Sequence, residues 1–139
     1  MSGKAIVLDA NILIRAVLGT RVRELILENA ATVKFFAPDV AYADARKYLP
    51  ALLKKRGVEA SAAMQVLDGL ESIVRPIDAE LYEGMQLQAL QRIAARDADD
   101  WPVLACAMTL GCPVWTEDTD FFGTGVATWT SDRINLYFA

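Results

Sequence analysis

The sequence predicts an α/β protein in which a central, mainly parallel sheet of four to five strands is flanked by helices. Two observations support this prediction. Short apolar runs that suit buried strands alternate with longer stretches whose apolar residues recur at helical spacing. The 139 residues are 54% hydrophobic, which is enough to fill one core, so we expect a single domain spanning residues 1–139.

Five apolar runs predict strands because each is too short for a helix and is rich in β-branched or aromatic residues. In chain order they cover residues 4–8, 33–37, 73–77, 113–115 and 126–130. Each run is bounded by residues typical of turns or helix starts, so these runs are expected to lie side by side in one sheet.

Helical spacing predicts the elements between the strands. They cover residues 11–19, 21–31, 38–57, 59–73, 79–96 and 100–110. Gly19 ends the first helix, and Pro38 with Asp39 opens the third, which is expected to bend at Pro50. Leu81 and Leu87 belong to the apolar stripe predicted for the helix over 79–96.

Composition excludes several classes of function. The chain contains no histidine, which removes Ser-His-Asp and Cys-His triads and imidazole zinc sites. Cys106 and Cys112 match neither a metal pair nor a disulfide framework, which favours a reducing compartment. No signal segment is recognisable, and the longest uncharged run, residues 101–116, is shorter than the roughly 20 residues that span a bilayer. We therefore expect a cytoplasmic protein with no membrane partner.

Carboxylates follow the predicted strands at one edge of the sheet. Asp9 comes directly after the first strand, and Asp118 follows the fourth strand after Thr116. In parallel sheets ligands bind beyond the carboxyl ends of the strands, so both carboxylates are expected at a binding edge. The alternative for Asp9, and for Asn11 two residues later, is a helix N-cap.

Two further segments add acids to the same edge. Asp44 borders the apolar stripe of the third helix, where the alternative is a salt bridge to Lys47 or Arg15. Asp100 shares a helical face with core positions. Its neighbours Asp97 and Asp99 are explained equally well as solvated residues or as partners of Arg96 and Arg92.

These carboxylates repel one another unless a cation balances them. Oxygen ligands of this kind suit Mg²⁺ or Mn²⁺ better than zinc. The net charge of −4 ordinarily argues against a nucleic-acid partner. Gathering eight acids at one site leaves ten others against 14 lysines and arginines, so the remaining surface is positive. The basic stretches 21–23, 46–47 and 54–56 are then either contacts for a phosphate backbone or ordinary solvated faces.

The order and spacing of these motifs resemble the PIN domain family over essentially the whole chain. The motifs are Asp9-x-Asn11, an acid in the helix after the second strand, Asp97-x-x-Asp100 opening a helix, and Thr116-x-Asp118-x-Asp120-Phe. The length is similar to that of VapC-type toxins. The resemblance implies a three-layer sandwich with a central sheet, and a metal-dependent ribonuclease activity.

The resemblance also implies roles for individual residues. Asp9, Asp44, Asp100 and Asp118 correspond to the catalytic, metal-binding acids, and Asp120 to an accessory metal-binding acid. Asn11 and Thr116 would be polar supports, and Asp97 has a counterpart in one branch of the family. The implied partners are RNA as substrate, an antitoxin protein and a second copy of the chain. Apolar residues beyond the needs of a small core also favour a homodimer: Leu13, Val17, Leu25, Tyr48 and Leu52.

One position departs from the family pattern. The second acid is usually glutamate, and this sequence has Asp44 there, whose carboxylate is retracted by one methylene. Binding of the metal through water, or a weakened site, is the implication. This departure supports the alternative of an inactive PIN fold that serves as a binding module. A receiver-like phosphotransfer domain is a further alternative, but it would need an acidic pair after the first strand and a late lysine.

Overall fold

The structure, a computed structural model, describes residues 3–139. Its five strands form one parallel sheet in the order β3-β2-β1-β4-β5. The strands are β1 (Lys4–Leu8), β2 (Val33–Pro38), β3 (Val74–Ile77), β4 (Val114–Trp115) and β5 (Thr128–Trp129). All five predicted strands are therefore confirmed, and the sheet is parallel throughout.

Helices connect β1 to β2, β2 to β3 and β3 to β4, whereas a loop with one 3₁₀ turn connects β4 to β5. They are α1 (Ala10–Leu18), α2 (Arg21–Asn29), α3 (Asp39–Lys55), α4 (Ala60–Leu70), α5 (Ala79–Tyr82), α6 (Gln86–Asp97), α7 (Trp101–Leu110) and α8 (Ile134–Phe138). Single 3₁₀ turns cover Glu83–Met85, Ala98–Asp100 and Thr119–Phe121. Within residues 3–139 no helix combines the length and the apolar character that crossing a bilayer requires.

Alternate side chains of β1 contribute to the core on the two faces of the sheet. Ile6 and Leu8 pack with residues of α1–α4 on one face of the sheet. Val7, between them, packs with residues of α5–α7 on the other face. Because successive side chains of a strand point to opposite faces, one apolar run supplies both layers. The arrangement is the expected three-layer sandwich.

The helix predicted over residues 79–96 is interrupted. A 3₁₀ turn at Glu83–Met85 separates α5 from α6 and changes the phase of the apolar stripe. Leu81 and Leu87 are 64% and 68% exposed, whereas Tyr82 and Ala89 are buried in the core. The predicted stripe is therefore wrong at Leu81 and Leu87, although Met85 and Leu90 are half-buried, since a continuous helical period cannot be extended through a turn of different pitch.

The apolar residues used to predict a homodimer do not share one surface. Leu13 and Val17 are buried in the core. Leu25 and Leu52 are half-buried, and Tyr48 is 52% exposed. The core therefore needs two of the five residues that were considered surplus.

Candidate metal centre

Asp9 stands at the junction of β1 and α1. Its side chain caps α1 by accepting a hydrogen bond from the Ala10 N–H at 2.6 Å. It also accepts bonds from Asn11 Nδ2 at 3.0 Å and from the Thr116 hydroxyl at 2.8 Å. Asp9 is only 8% exposed. Asp9 therefore acts as the N-cap of α1, and the same side chain also bonds to Asn11 and Thr116, the two predicted polar supports.

Thr116 and Asn11 connect the ends of β1 and β4. The fully buried Thr116 hydroxyl donates to Asp9 and accepts from Asn11 Nδ2 at 3.1 Å and from the Asp118 N–H at 2.9 Å. A hydroxyl has one donor and two acceptor positions, so its capacity is fully used. Asn11 Oδ1 in turn accepts from the Glu117 N–H at 3.2 Å. These bonds hold the loop that carries Asp118 against Asp9.

Asp100 completes a group of three carboxylates. Asp9, Asp100 and Asp118 each offer an oxygen, and these oxygens lie within 4.8 Å of one another. Asp100 Oδ2 is buried and has no hydrogen-bond partner among residues 3–139. Burial raises the pKa of Asp100 to about 8, and the nearby charges of Asp9, Asp97 and Asp118 act in the same direction.

Asp100 also belongs to a second group. Asp97, Asp100 and Asp120 bring carboxylate oxygens within 4.8 Å of one another. Burial and then the charges of Asp118 and Asp97 raise the pKa of Asp120. Both groups contain Asp100, so together they gather five of the eight predicted site residues around that carboxylate.

Burial is also the main cause of the raised pKa of Asp9. The hydrogen bonds from Thr116 and Ala10 favour its ionised form, but they do not cancel burial, and the charges of Asp118 and Asp44 oppose ionisation further. Two carboxyl groups with raised pKa values, Asp9 and Asp100, thus face the same small volume. Perturbation of this kind is frequent at functional sites.

Asp44 lies apart from these carboxylates. It is exposed on α3 and belongs to neither group of three. Its charge nevertheless contributes to the raised pKa of Asp9, so it lies near the site. The alternative salt bridge to Lys47 or Arg15 does not form among residues 3–139, where the ion pairs are those of Arg46 with Asp68 and Glu71.

Arg92 and Arg96 support the site in a way that sequence reasoning missed. They were considered as partners of Asp97 and Asp99, but they donate to main-chain oxygens of the loop after the site. Arg92 Nη1 bonds the Thr124 oxygen at 3.1 Å, and Arg96 Nη1 bonds the Asp120 oxygen at 3.0 Å and the Phe122 oxygen. The two arginines are four residues apart on α6, a spacing that places both side chains on the same helical face. That spacing is the signal in the sequence that could have identified their shared role.

Glycines allow this close approach. Gly123 and Gly125 adopt φ values of 86° and 87°, which side chains disfavour. A Cβ at Gly123 would lie 3.1 Å from Arg96 Nη2, and one at Gly125 would lie 3.0 Å from Arg92 Nη1. The Gly-x-Gly spacing therefore lets the two guanidinium groups pack against the loop that carries Asp120.

The carboxylates fit a hard divalent cation. Oxygens that share a magnesium ion at about 2.1 Å lie at most about 4.2 Å apart. The oxygens of Asp9, Asp100 and Asp118 lie within 4.8 Å, so only a small inward shift separates them from that spacing. Asp100 Oδ2 is a buried oxygen that accepts no hydrogen bond from residues 3–139, whereas buried polar atoms normally have a partner. A bound cation would satisfy it.

Three solved structures share the fold. VapBC2 from Rickettsia felis, bound to a DNA fragment from its promoter, is 14% identical, with a TM-score of 0.62 over 91% of this chain and 98% of the other. FitAB bound to an IR36 DNA fragment is 20% identical, with a TM-score of 0.58 over 91% and 94%. FitAcB from Neisseria gonorrhoeae is 21% identical, with a TM-score of 0.57 over 91% and 97%.

The sequence itself decides the family. No curated protein matches the chain significantly. The family described as PIN domain, however, matches residues 7–139, a range that contains every predicted site residue from Asp9 to Asp120. The chain belongs to the PIN domain family.

Proposed function

We propose that this protein is a Mg²⁺- or Mn²⁺-dependent ribonuclease that hydrolyses phosphodiester bonds of RNA. The observation that carries the proposal is the convergence of Asp9, Asp100 and Asp118, whose oxygens lie within 4.8 Å around the unpartnered Asp100 Oδ2. PIN domain proteins are generally nucleases. A nuclease that relies on carboxylates also agrees with a chain that contains no histidine.

The position of each site residue suggests its proposed role. Asp9, Asp100 and Asp118 would hold the cation, and Asp120 with Asp97 would extend the site through the shared Asp100. Asp44, which lies outside both groups, would reach the cation only through water. A bound divalent ion lowers the pKa of a coordinated water and polarises a phosphodiester oxygen. Asn11 and Thr116 orient Asp9 and the Asp118 loop through the hydrogen bonds that they share.

The biological setting that we propose is a type II toxin–antitoxin pair in the cytoplasm. Support comes from the structural likeness to VapBC and FitAB proteins. The protein would be the toxin, would form a homodimer, and would be inhibited by an antitoxin protein that covers the acidic site.

Cleavage of RNA with and without metal tests the function. Purified protein is incubated with a labelled RNA and Mn²⁺ or Mg²⁺, with EDTA as the metal-free condition and Asp118→Asn as the variant. Cleavage by wild type with metal, and its loss with EDTA and in the variant, supports the proposal. Equal cleavage by wild type and variant would identify a contaminating nuclease and refute the assigned site.

The position of Asp44 supports a second candidate, an inactive PIN fold that binds RNA without cutting it. Asp44 is exposed and outside both carboxylate groups, so a full set of acids is not assembled directly. Asp44→Glu separates the two functions. A large gain of cleavage from an inactive wild type would show that the missing methylene had abolished activity. The receiver-like alternative disagrees with the sheet order, since receivers have the order 2-1-3-4-5.

A further inference from the structure

A basic pocket lies next to the acidic site, one turn further along α1. It has a volume of about 520 Å³ and is formed where α1 ends and α2 begins. Three arginines line it, Arg15, Arg21 and Arg56, together with Ser131 from the segment after β5. These arginines come from three separate helical segments, so their convergence is a property of the tertiary structure.

The arginines of this basic pocket have acids nearby but no direct ion pair among the described residues. None of the three arginines forms a salt bridge with a residue in the range 3–139. Asp132 lies near Arg21: its pKa is lowered mainly by the Thr130 hydroxyl, and the charges of Arg133 and Arg21 also contribute. Glu24 in the first turn of α2 and Glu117, which accepts from the Ser131 N–H, are also close to the pocket, but neither forms an ion pair with the three arginines.

The start of α2 adds to this charge. Thr20 precedes the helix, but its side chain caps no N–H, and Arg21 occupies the first position of the nine-residue helix. The N-terminus of a helix carries a partial positive charge, which ordinarily favours acids there. Glu24 supplies one such acid in the first turn, while Arg21 at the first position adds positive charge that a bound anion would offset.

Hydrogen bonds connect the basic pocket to the acidic site. Arg15 follows Asn11 by one turn of α1, which places the two side chains about 5–6 Å apart at Cβ. On the other wall, the Ser131 N–H donates to Glu117 Oε1 at 2.8 Å, and the Glu117 N–H donates to Asn11. The basic pocket therefore lies next to the acidic site on a continuous surface.

We propose that the basic pocket binds a backbone phosphate of the RNA strand, adjacent to the phosphate that is cut at the metal centre. The inference rests on the proposed function, because it uses the position of the metal centre to orient the strand. A strand carries a phosphate at every nucleotide, so one that reaches the carboxylates brings a neighbouring phosphate past the next turn of α1. Arginine presents a planar fork of donors that matches phosphate oxygens.

The test separates binding from cleavage. Affinity for a labelled RNA is measured by fluorescence anisotropy at several salt concentrations, using Asp118→Asn as the background so that the RNA stays intact. Arg15→Gln, Arg21→Gln and Arg56→Gln are introduced singly and together. Arg75→Gln is the matched control, since Arg75 is exposed on β3 at the opposite edge of the sheet.

Each pocket variant is expected to reduce the slope of log K against log salt by about 0.7, and the triple variant by about 2, as loss of phosphate contacts to a single strand predicts. The control leaves the slope unchanged. In wild-type background, the triple variant is expected to raise KM for RNA about tenfold or more. Hydrolysis of bis(p-nitrophenyl) phosphate, which is too small to reach the pocket, stays within twofold.

The outcomes distinguish the two proposals. If wild type cleaves RNA and the pocket variants match the Arg75 control in slope and KM, the pocket proposal is overturned while the nuclease stands. If neither substrate is cleaved but the slopes change as expected, the nuclease fails and the phosphate pocket stands. If the variants lose affinity for a poly-glutamate peptide and not for RNA, the pocket binds acidic protein segments and the RNA proposal is overturned.

Discussion

Asp9 and Asp39 occupy similar places and have different surroundings. Each follows a strand of the same parallel pair, β1 or β2, and each lies at the start of a helix. Asp9 faces Asp100 and Asp118, whose oxygens converge with its own. Asp39 belongs to neither carboxylate group, and it accepts bonds from the Tyr82 hydroxyl at 2.5 Å and from the Ala79 N–H at 3.2 Å.

The order of the strands explains this difference. β1 lies beside β4, so the end of β4 brings Thr116 and Asp118 to Asp9. β2 lies beside β3, so α5, which follows β3, brings Ala79 and Tyr82 to Asp39. The neighbouring strand end thus decides what meets each carboxylate: further carboxylates converge on Asp9, whereas Asp39 belongs to neither carboxylate group. Asp39 serves the fold, and Asp9 serves the proposed site.

Loss of Asp118, a proposed metal ligand, is expected to have the largest effect. Asp118→Asn should lower metal-dependent RNA cleavage by more than about 100-fold. Removing a residue that only hydrogen-bonds to a metal ligand already costs about 10–100-fold in metal affinity or activity. Asp39→Asn should leave cleavage within about threefold, because Asp39 touches none of the converging oxygens. Initial rates under saturating Mn²⁺ measure both. Equal losses in the two variants would erase the distinction between the two aspartates.

Removing Asp39 should chiefly affect stability. Asp39→Ala leaves the Tyr82 hydroxyl and the Ala79 N–H without their acceptor, so we expect unfolding to be easier by about 2–3 kcal/mol. Urea denaturation of metal-free protein measures it. Tyr82→Phe in a double-mutant cycle with Asp39→Ala should show coupling of about 1–2 kcal/mol. Additive effects would mean that the hydrogen bond contributes nothing to stability.

The polar support of Asp9 should have an intermediate effect. Asn11→Ala removes the bonds that Asn11 donates to Asp9 and Thr116 and the bond that it accepts from the Glu117 N–H, and we expect metal affinity to fall about 10–100-fold. Isothermal titration calorimetry with Mn²⁺ measures this affinity. Asn29→Ala is a useful control, since Asn29 bonds only the Leu25 oxygen of its own helix. A similar loss of affinity in that control would point to a general effect on folding.

The protonation of Asp100 should make the smallest difference. Its pKa is raised to about 8 in the folded protein, above about 3.9 in an unfolded chain. The folded state then keeps a proton that the unfolded state releases, so this contribution to stability is present below about pH 4 and is lost as the pH rises toward 8.

Asp100→Asn removes this dependence. Without metal, the variant should melt a few degrees higher than wild type at pH 8 and should differ less at pH 5. Mn²⁺ should raise the melting temperature of wild type more than that of the variant, and more at pH 8 than at pH 6, because the ligand must lose its proton. Differential scanning fluorimetry measures each midpoint. A constant difference between the two proteins at all pH values would contradict the assigned proton.

Local patterns were sufficient for most of the fold. The strand at residues 4–8 was predicted from a run of apolar residues, and its alternation supplies both layers of the core. The helix over 79–96 was the exception. Tyr82 is buried and bonded to Asp39, which lies 43 residues earlier, and the 3₁₀ turn that follows it changes the helical phase. A contact so distant in sequence leaves no trace in a local period.

The candidate site shows the same division. Motif spacing named Asp9, Asp100 and Asp118, which the structure brings together. It also paired Arg92 and Arg96 with the nearest acids, whereas they bond main-chain oxygens 32 and 24 residues away. A main-chain acceptor has no residue type, so no sequence motif identifies it as a partner.

The sequence by itself determined the alternation of strands and helices, and a reliance on carboxylates through its lack of histidine. Those properties follow from side-chain chemistry and from spacing along the chain. Tertiary structure alone decided which aspartates meet, since the order β3-β2-β1-β4-β5 sets the neighbours of each strand end. It also gathered Arg15, Arg21 and Arg56 around one pocket. Such convergence depends on how packed helices and strands cross, a geometry that residues close in sequence do not specify.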